Sequence, residues 1–177
     1  MESPKPKGKE VVLDTSVLIN FLAVDRMDLI ERHPGYCFAV TSHVRGEVTE
    51  HYAEQIKRLD AAVASGSVVE IRVDDIEELE LFARLSKNPR LGIGECAAIA
   101  AAAHRSHVLA IDDKAARKAA LQVNPKMSIL DSQAFMVSCI QAELLTLEEA
   151  DAIKDEWATK HSFVLKIQSF RDVLPKN

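Results

Sequence analysis

Short apolar runs alternate with longer amphipathic stretches along the chain. Five of these runs have the length of a strand, and they lie at 10–13, 37–40, 68–73, 108–111 and 127–130. A short apolar run bounded by polar or turn residues is typical of a strand that is buried on both faces. Because helical segments separate the runs, the pattern predicts a three-layer α/β/α fold with a central parallel sheet of four to five strands.

The segments between the strands have the periodicity and length of helices. The predicted helices cover 16–23, 26–32, 43–64, 74–86, 95–103, 114–121, 131–145 and 146–160, with one or two further turns in 163–173. Thr146 and Glu149 have the spacing of a capping box at the start of the last long helix. We expect a flexible leader at 1–9, the main domain at 10–142, and C-terminal helices at 143–177 that pack on the same domain.

The stretch 92–117 is the most informative part of the sequence, and it predicts a helix, a turn and a strand that ends in two acids. The helix is rich in alanine and apolar on nearly every side, which favours burial. We interpret Gly94 as its N-cap, so that Glu95 lies in the first turn, where backbone N–H groups and the helix dipole stabilise a carboxylate. Glu95 has few partners nearby in the sequence, and a buried carboxylate must be paired or bind a metal.

Other acids follow the predicted strands. Asp14 comes directly after 10–13, and Asp112 with Asp113 comes after 108–111. Ligands of open parallel sheets bind outside the carboxyl ends of the strands, so these acids are expected at one place. Asp14 alone would equally fit the N-cap of the next helix. Asp112 and Asp113 are adjacent and cannot point the same way, so one can cap the following helix while the other faces the crevice.

Glu47 lies about one turn into the helix that follows the second strand. Taken alone, it fits a surface glutamate that is paired with Arg45 or His51. A zinc site of His43, Glu47 and His51 is a further alternative. It is disfavoured because the two histidines lie eight residues apart in the sequence, whereas paired histidine ligands on a helix lie about four apart.

Together, the acidic positions predict a metal site. Carboxylates that meet without matching basic residues repel each other unless a cation lies between them, and their oxygens suit Mg²⁺ or Mn²⁺ better than zinc. Such a site can generate a hydroxide from water and stabilise the leaving oxygen of a phosphodiester. Thr15 and Ser16 add polar atoms at the same edge. The acidic run 74–80, by contrast, is interpreted as the solvated face of a helix.

Composition limits the alternatives. The net charge of −5 argues against a general nucleic-acid coat protein but not against a nuclease with clustered carboxylates. No apolar run approaches the roughly 20 residues of a membrane span, and the polar N-terminus lacks the apolar core of a secretory signal. The three cysteines lie far apart, which disfavours a disulfide framework or a zinc knuckle. We therefore expect a cytoplasmic protein that makes no membrane contact.

Several stretches resemble the motifs of PIN-domain nucleases, in particular the prokaryotic VapC-like, toxin-type ribonucleases. VVLDTSVLIN resembles the first motif, a strand followed by Asp and then Thr or Ser. SHVRGEV resembles the second, which places a glutamate on the helix after the second strand. GIGECAAIAAA and LAIDDKAAR resemble the third and fourth motifs, which have the forms GE-x-EA-x-x-A and DD-x-x-A-R. The likeness spans roughly 10–142.

The resemblance implies a metal-dependent endoribonuclease that cleaves single-stranded RNA through attack by metal-activated water, with Mg²⁺ or Mn²⁺ as cofactor. The implied site residues are the metal ligands Asp14, Glu47, Glu95 and Asp113, with Asp112 competing for the more peripheral role of Asp113 and with Thr15 and Ser16 as support. The family also implies frequent homodimers and often a co-expressed inhibitor protein. One form of the hypothesis is therefore that the chain is the toxin of a toxin–antitoxin pair.

Two alternatives stay open. A PIN-like module that has lost turnover would act as an RNA-binding or protein-assembly scaffold, and it would bind RNA without cleaving it. A phosphohydrolase with Asp14 as nucleophile is less well supported, because DTSVL lacks the second Asp two residues later that such chemistry usually needs.

Overall fold

Five parallel strands form the central sheet of the computed structural model, which describes residues 8–175. The strands are β1 (Lys9–Leu13), β2 (Tyr36–Thr41), β3 (Val68–Ile71), β4 (Val108–Ala110) and β5 (Ile129–Leu130). Their order in the sheet is β3-β2-β1-β4-β5, and all four neighbouring pairs are parallel. The predicted three-layer α/β fold is confirmed.

Helices flank the sheet, and several of them begin directly after the carboxyl end of a strand. They are α1 (Thr15–Ala23), α2 (Met27–Arg32), α3 (Ser42–His51), α4 (Ala53–Ala64), α5 (Ile76–Leu85), α6 (Ile93–Arg105), α7 (Lys114–Val123), α8 (Ser132–Gln141) and α9 (Leu147–Lys160), followed by a 3₁₀ turn at Phe170–Asp172. No helix within residues 8–175 is both long enough and apolar enough to cross a membrane.

The sheet order places β1 at the point where the chain changes direction across the sheet. From β1 the chain builds β2 and β3 on one side, and it then returns to build β4 and β5 on the other. A crevice forms outside the carboxyl ends of the strands at such a reversal. The ends of β1, β2 and β4 therefore lead into one region of the molecule.

Alanine allows α6 to approach the sheet closely. Every residue from Cys96 to Ala102 is buried, and the helix contacts both β1 and β2. The predicted burial of this helix is confirmed. Because small side chains let the helix axis lie near the strands, the N-terminus of α6 is held at the crevice.

The predicted single helix 43–64 is wrong, because the chain breaks at Tyr52 into α3 and α4. Tyr52 has φ −134° and ψ 61°, outside the helical region, while its N–H still donates to the Val48 carbonyl at 2.9 Å. No Gly or Pro stands at the break. The break coincides with a change of neighbours, since α3 packs on α6, α4 packs on β3, and both contact α1.

The chain after β5 also differs from prediction. The helix expected at 131–145 ends at Gln141, because Glu143 adopts φ 57° and the Leu144 N–H donates back to the Cys139 carbonyl. Only the 3₁₀ turn forms in 163–173. The edge strands β3 and β5 are shorter than the apolar runs that predicted them.

The sheet begins earlier than the expected boundary at residue 10, and the C-terminal helix α9 packs on the main body. Lys9 begins β1, so the expected leader 1–9 overlaps the sheet, and 1–7 lie outside the described residues. At the other end, α9 packs on the main body through Trp157, whose Nε1 donates to the Asn20 carbonyl at 2.7 Å. The Trp157 ring also makes an edge contact with Phe21 at 5.4 Å.

Glu78 corrects the interpretation of 74–80 as a solvated face. Its side chain is 0% exposed, and both carboxylate oxygens accept from the Arg105 guanidinium, one of them at 3.0 Å. Arg105 also donates to the Arg72 carbonyl at 2.7 Å. A buried carboxylate is tolerated here because a cation and hydrogen bonds compensate its desolvation.

We expect Arg105→Ala to lower the free energy of unfolding by about 3 kcal/mol, since it leaves Glu78 charged and buried without its partner. Urea denaturation measures the change. Arg84→Ala, at an exposed position of α5, is the control and should change stability by less than about 0.5 kcal/mol. Similar losses in both variants would contradict the assigned role of the pair.

Candidate active site

A cavity of about 280 Å³ opens at the carboxyl ends of β1 and β2. It is lined by residues from three separate parts of the chain: Asp14, Thr15, Ser16, Ile19, Glu47, Tyr52, Gly92 and Glu95. Three of these carry carboxylates and none carries a positive charge. The fold therefore gathers side chains that lie up to 81 positions apart (95 − 14) around one acidic space.

Asp14 lies at the end of β1, and its side chain is the most deeply buried acid of the cavity. The residue is 1% exposed, and Oδ2 accepts from the Ser16 backbone N–H at 3.0 Å and from the Ser16 hydroxyl at 2.6 Å. Oδ1 is buried and has no hydrogen-bond partner within the described chain. Burial raises the pKa of Asp14, and the negative charge of Glu47 raises it further. A proton or a cation would stabilise this unsatisfied oxygen.

Glu47 reaches the cavity because α3 starts directly after β2. Thr41 caps this helix by accepting from the Val44 N–H, which places Glu47 one turn from the sheet edge. Its Oε2 accepts from the Thr15 hydroxyl at 2.6 Å, and its Oε1 accepts from the Gly94 N–H at 2.9 Å. Glu47 thus joins the first turns of α1 and α6.

The surface alternatives for Glu47 do not form. Arg45 pairs instead with Asp60 and Glu70, on the other side of α3 from the cavity residues. The zinc alternative does not assemble either, since the His43 ring packs against Phe82 at 5.0 Å and the side chain of His51 is 67% exposed.

Glu95 lies in the first turn of α6, but the N-cap is Gly92 and not the predicted Gly94. Its Oε2 accepts from the Gly92 N–H at 2.8 Å. Burial raises the pKa of Glu95 to about 7, and the negative charges of Asp14, Asp113 and Glu47 act in the same direction, against the Gly92 hydrogen bond. A carboxyl group with this pKa exchanges its proton near neutral pH.

Gly94 is required by the close approach of Glu47. A Cβ atom at this position would lie 2.5 Å from Glu47 Oε2 and 2.7 Å from Oε1. These distances are far below van der Waals contact, so any side chain at Gly94 would displace the Glu47 carboxylate. The sequence alone does not reveal this requirement, because the two residues are 47 positions apart.

Asp112 is held beside the cavity rather than within its lining. Its carboxylate accepts from the Ser132 N–H at 2.8 Å, the Ser132 hydroxyl at 2.6 Å and the Asn20 amide at 3.0 Å. Burial raises the pKa of Asp112. Its backbone N–H donates to the Ser16 hydroxyl at 3.0 Å, and that hydroxyl donates to Asp14. Asp112 thereby helps to orient Asp14.

Asp113 is exposed and caps α7 by accepting from the Ala116 N–H at 2.8 Å. It therefore takes the capping role expected for one member of the pair, while its charge still contributes to the raised pKa of Glu95. Sequence reasoning missed Ser132 and Asp131, both at the carboxyl end of β5. Asp131 caps α8 and pairs with Arg117 at 3.4 Å. The sequence offered one indication of Asp131, namely an acid directly after the last apolar run.

The donor set fits a hard divalent cation. The cavity offers carboxylate and hydroxyl oxygens, lacks a lysine or arginine to neutralise them, and includes the unsatisfied Asp14 Oδ1. In their present positions, however, no three His, Cys, Asp or Glu side chains of residues 8–175 converge closely enough to hold a metal ion. The reason is local, because the carboxylates of Glu47 and Glu95 are turned onto the N–H groups of Gly94 and Gly92.

The parallel sheet flanked by helices, with an acidic cleft at the carboxyl ends of its strands, defines a three-layer α/β protein. A family model described as a PIN domain matches residues 10–128. The chain belongs to the PIN domain family. Members of this family are generally nucleases and usually bind divalent metals.

Two solved structures are similar to this chain. A PilT N-terminus domain protein, SSO1118, from the hyperthermophilic archaeon Sulfolobus solfataricus P2 is 12% identical with a TM-score of 0.52, over 75% of this chain and 94% of that one. PAE2754 from Pyrobaculum aerophilum is 19% identical with a TM-score of 0.45, over 73% and 88% respectively. At this identity the first likeness shows the fold alone. No curated protein sequence matches the chain.

We expect Gly94→Ala to weaken Mn²⁺ binding by at least about tenfold, the lower end of the cost of disturbing a metal ligand. The folded structure should tolerate the substitution to within about 1 kcal/mol, because the displaced group is the end of a flexible side chain. Calorimetric titration with Mn²⁺ and urea denaturation measure the two effects.

Gly46→Ala is the matched control, since it lies on α3 with no atom within 4 Å of the new Cβ. It should keep Mn²⁺ affinity and gain up to about 1 kcal/mol of stability from its helical position. Unchanged Mn²⁺ affinity in Gly94→Ala would contradict the expectation that Glu47 binds the ion.

The raised pKa of Glu95 predicts a pH-dependent stability difference in the metal-free protein. The carboxyl group has its ordinary value of 4.5 in the unfolded chain and about 7 in the fold, so the folded state binds the proton more tightly. The stabilisation is complete below pH 4.5 and is lost as the pH rises through about 7. Glu95→Gln should therefore become increasingly more stable than wild type across this range.

Urea denaturation in the presence of a chelator measures this difference at each pH. Glu80→Gln, at an exposed position of α5, should run parallel to wild type. A Glu95→Gln curve that also stays parallel to wild type would show that the carboxyl group titrates normally.

Proposed function

We propose that this PIN-domain chain is a Mg²⁺- or Mn²⁺-dependent endoribonuclease that hydrolyses phosphodiester bonds of single-stranded RNA. The observation that carries the proposal is the buried Asp14 Oδ1, which lacks a partner in the described chain and belongs to a residue that lines the same cavity as Glu47 and Glu95. A structural carboxylate would be paired, as Glu78 is with Arg105. Nuclease chemistry at a cation explains why this one is left open.

The residues of the cavity would have different roles. Asp14, Glu47 and Glu95 would hold the cation, while the hydroxyls of Thr15 and Ser16 fix the orientation of Glu47 and Asp14. When bound, a divalent cation supplies activation of water and stabilisation of the leaving oxygen. Asp113 would contribute from the rim through its charge, and Asp112 through its backbone contact with Ser16.

The finer features of the resemblance belong to the same proposal. A homodimer, an inhibitor protein and a toxin role stay predictions for this chain. One observation favours the scaffold alternative. The carboxylates of Glu47 and Glu95 accept hydrogen bonds from backbone N–H groups and, within the described residues, do not converge on a common point where a metal ion could bind. A scaffold would bind single-stranded RNA and leave it intact, so a cleavage assay separates the two functions.

We expect Asp14→Asn to reduce cleavage of a labelled single-stranded RNA in Mn²⁺ by more than about a hundredfold. The substitution removes the negative charge of the most central ligand, which should cost more than the 10- to 100-fold typical of outer partners. The variant should still fold, because the amide oxygen can accept from Ser16 as Asp14 Oδ2 does. Gel analysis of initial cleavage rates measures the loss.

Asp75→Asn is the matched control, because Asp75 caps α5 by the same hydrogen bond to the residue two positions later and lies outside the cavity. It should cleave RNA at the wild-type rate. Wild-type protein that binds RNA without cutting it in Mg²⁺ or Mn²⁺ would favour the scaffold. Cleavage that survives in Asp14→Asn would trace the activity to a different site or to a contaminant.

A further inference from the structure

We infer that the ring of Tyr52 is the stacking platform for a nucleobase of the RNA, next to the carboxylates that would act on the backbone. This inference rests on the proposed function, and it names how that site would hold its substrate. No motif of the sequence pointed to Tyr52, because the pattern predicted an uninterrupted helix there.

The break between α3 and α4 brings Tyr52 to the cavity. The residue lies outside the helical region at φ −134°, directly between His51 and Ala53, and its side chain lines the same space as Glu47 and Glu95. Ile19 of α1 adds an apolar side chain to the lining. The cavity thus combines a carboxylate region with an aromatic and aliphatic region.

The Tyr52 ring is half-buried and lacks an aromatic neighbour in the described part of the chain. Within residues 8–175 its ring stacks on no other aromatic ring, and its hydroxyl makes no hydrogen bond. The other tyrosine, Tyr36, stacks on His33 at 4.5 Å and makes an edge contact with Phe38 at 5.8 Å. Both tyrosines pack partly against the hydrophobic core, but only Tyr52 lines the acidic cavity, and within residues 8–175 no aromatic ring stacks on it.

The chemistry of the cavity favours a nucleobase as the occupant. A planar base places its face on an aromatic ring without requiring hydrogen bonds, and a nucleotide carries the phosphate that a cation held by the carboxylates would attract. The volume of about 280 Å³ lies near the lower end of the roughly 300–1,000 Å³ typical of ligand pockets, which suits one base rather than several. An acidic peptide would be repelled by the same carboxylates.

The test is a binding cycle between the protein and RNAs that lack a single base. Labelled single-stranded RNAs, intact or with one abasic position that is moved along the strand, are titrated by fluorescence anisotropy in Ca²⁺, and gels verify that they stay uncut. Wild type is compared with Tyr52→Ala and Tyr52→Phe. His51→Ala is the control, because it changes the neighbouring exposed side chain.

Tyr52→Ala should bind the intact RNA about five- to a hundredfold more weakly, the range that loss of one stacked base produces. Tyr52→Phe and His51→Ala should bind as wild type does. One abasic position should weaken wild type by a similar factor and should have no further effect in Tyr52→Ala. This non-additivity identifies the base that stacks on the ring. If Tyr52→Ala is poorly folded, the wild-type measurements still decide against the inference when no abasic position weakens binding.

Equal affinity of wild type and Tyr52→Ala for intact RNA overturns the inference, as does an abasic effect that adds to the Tyr52→Ala effect at every position. A peptide occupant would give the first of these results. If wild type cleaves RNA in Mn²⁺ while either result is obtained, the proposed function stands without the stacking role. If wild type neither binds nor cleaves RNA, the proposed function falls and the inference falls with it.

Discussion

The site depends on how the protein tolerates several carboxylates that are close together and partly buried. Asp14 is fully enclosed at the end of β1, and burial together with the negative charge of Glu47 raises the free energy of its charged form. The fold compensates with hydrogen-bond donors rather than with cationic side chains, in the form of two hydroxyls and several backbone N–H groups. Among the buried carboxylate oxygens of the described residues, Asp14 Oδ1 alone lacks a donor. A cation would be stabilised most next to this oxygen.

The same constraint explains the composition of α6. Alanine lets this helix lie close to β1 and β2, so its first turn projects the N–H groups of Gly92 and Gly94 toward the acids. A larger side chain along the buried face would move the whole N-terminus away from Glu47. The chemistry of the site therefore depends on the close packing of α6, because this helix supplies both Glu95 and the N–H donors that hold the acids in place.

The apolar runs were sufficient to predict the fold and the sheet edge at which the acidic cavity opens. Strand ends fix the crevice, and an acid that directly follows an apolar run is visible in the sequence, which is why Asp14 and Asp112 were found. Two of the errors lie beyond what local sequence can show. Glu78 looks solvated until Arg105 of α6 is placed beside it, and Tyr52 looks helical until α3 and α4 pack on different neighbours. Periodicity reports only local structure, so it cannot reveal such pairings.

The position of Glu95 connects protonation with cation binding. Its carboxyl group now accepts from Gly92, and its pKa of about 7 arises from burial and from the negative charge of the other acids. A cation among these acids would favour the charged form of Glu95 and so lower that pKa, and by linkage the proton opposes the cation. The repulsion that raises the pKa is therefore the same repulsion that the cation would relieve. If these acids bind a divalent ion as proposed, its affinity would fall as the pH drops below about 7, because Glu95 then becomes neutral.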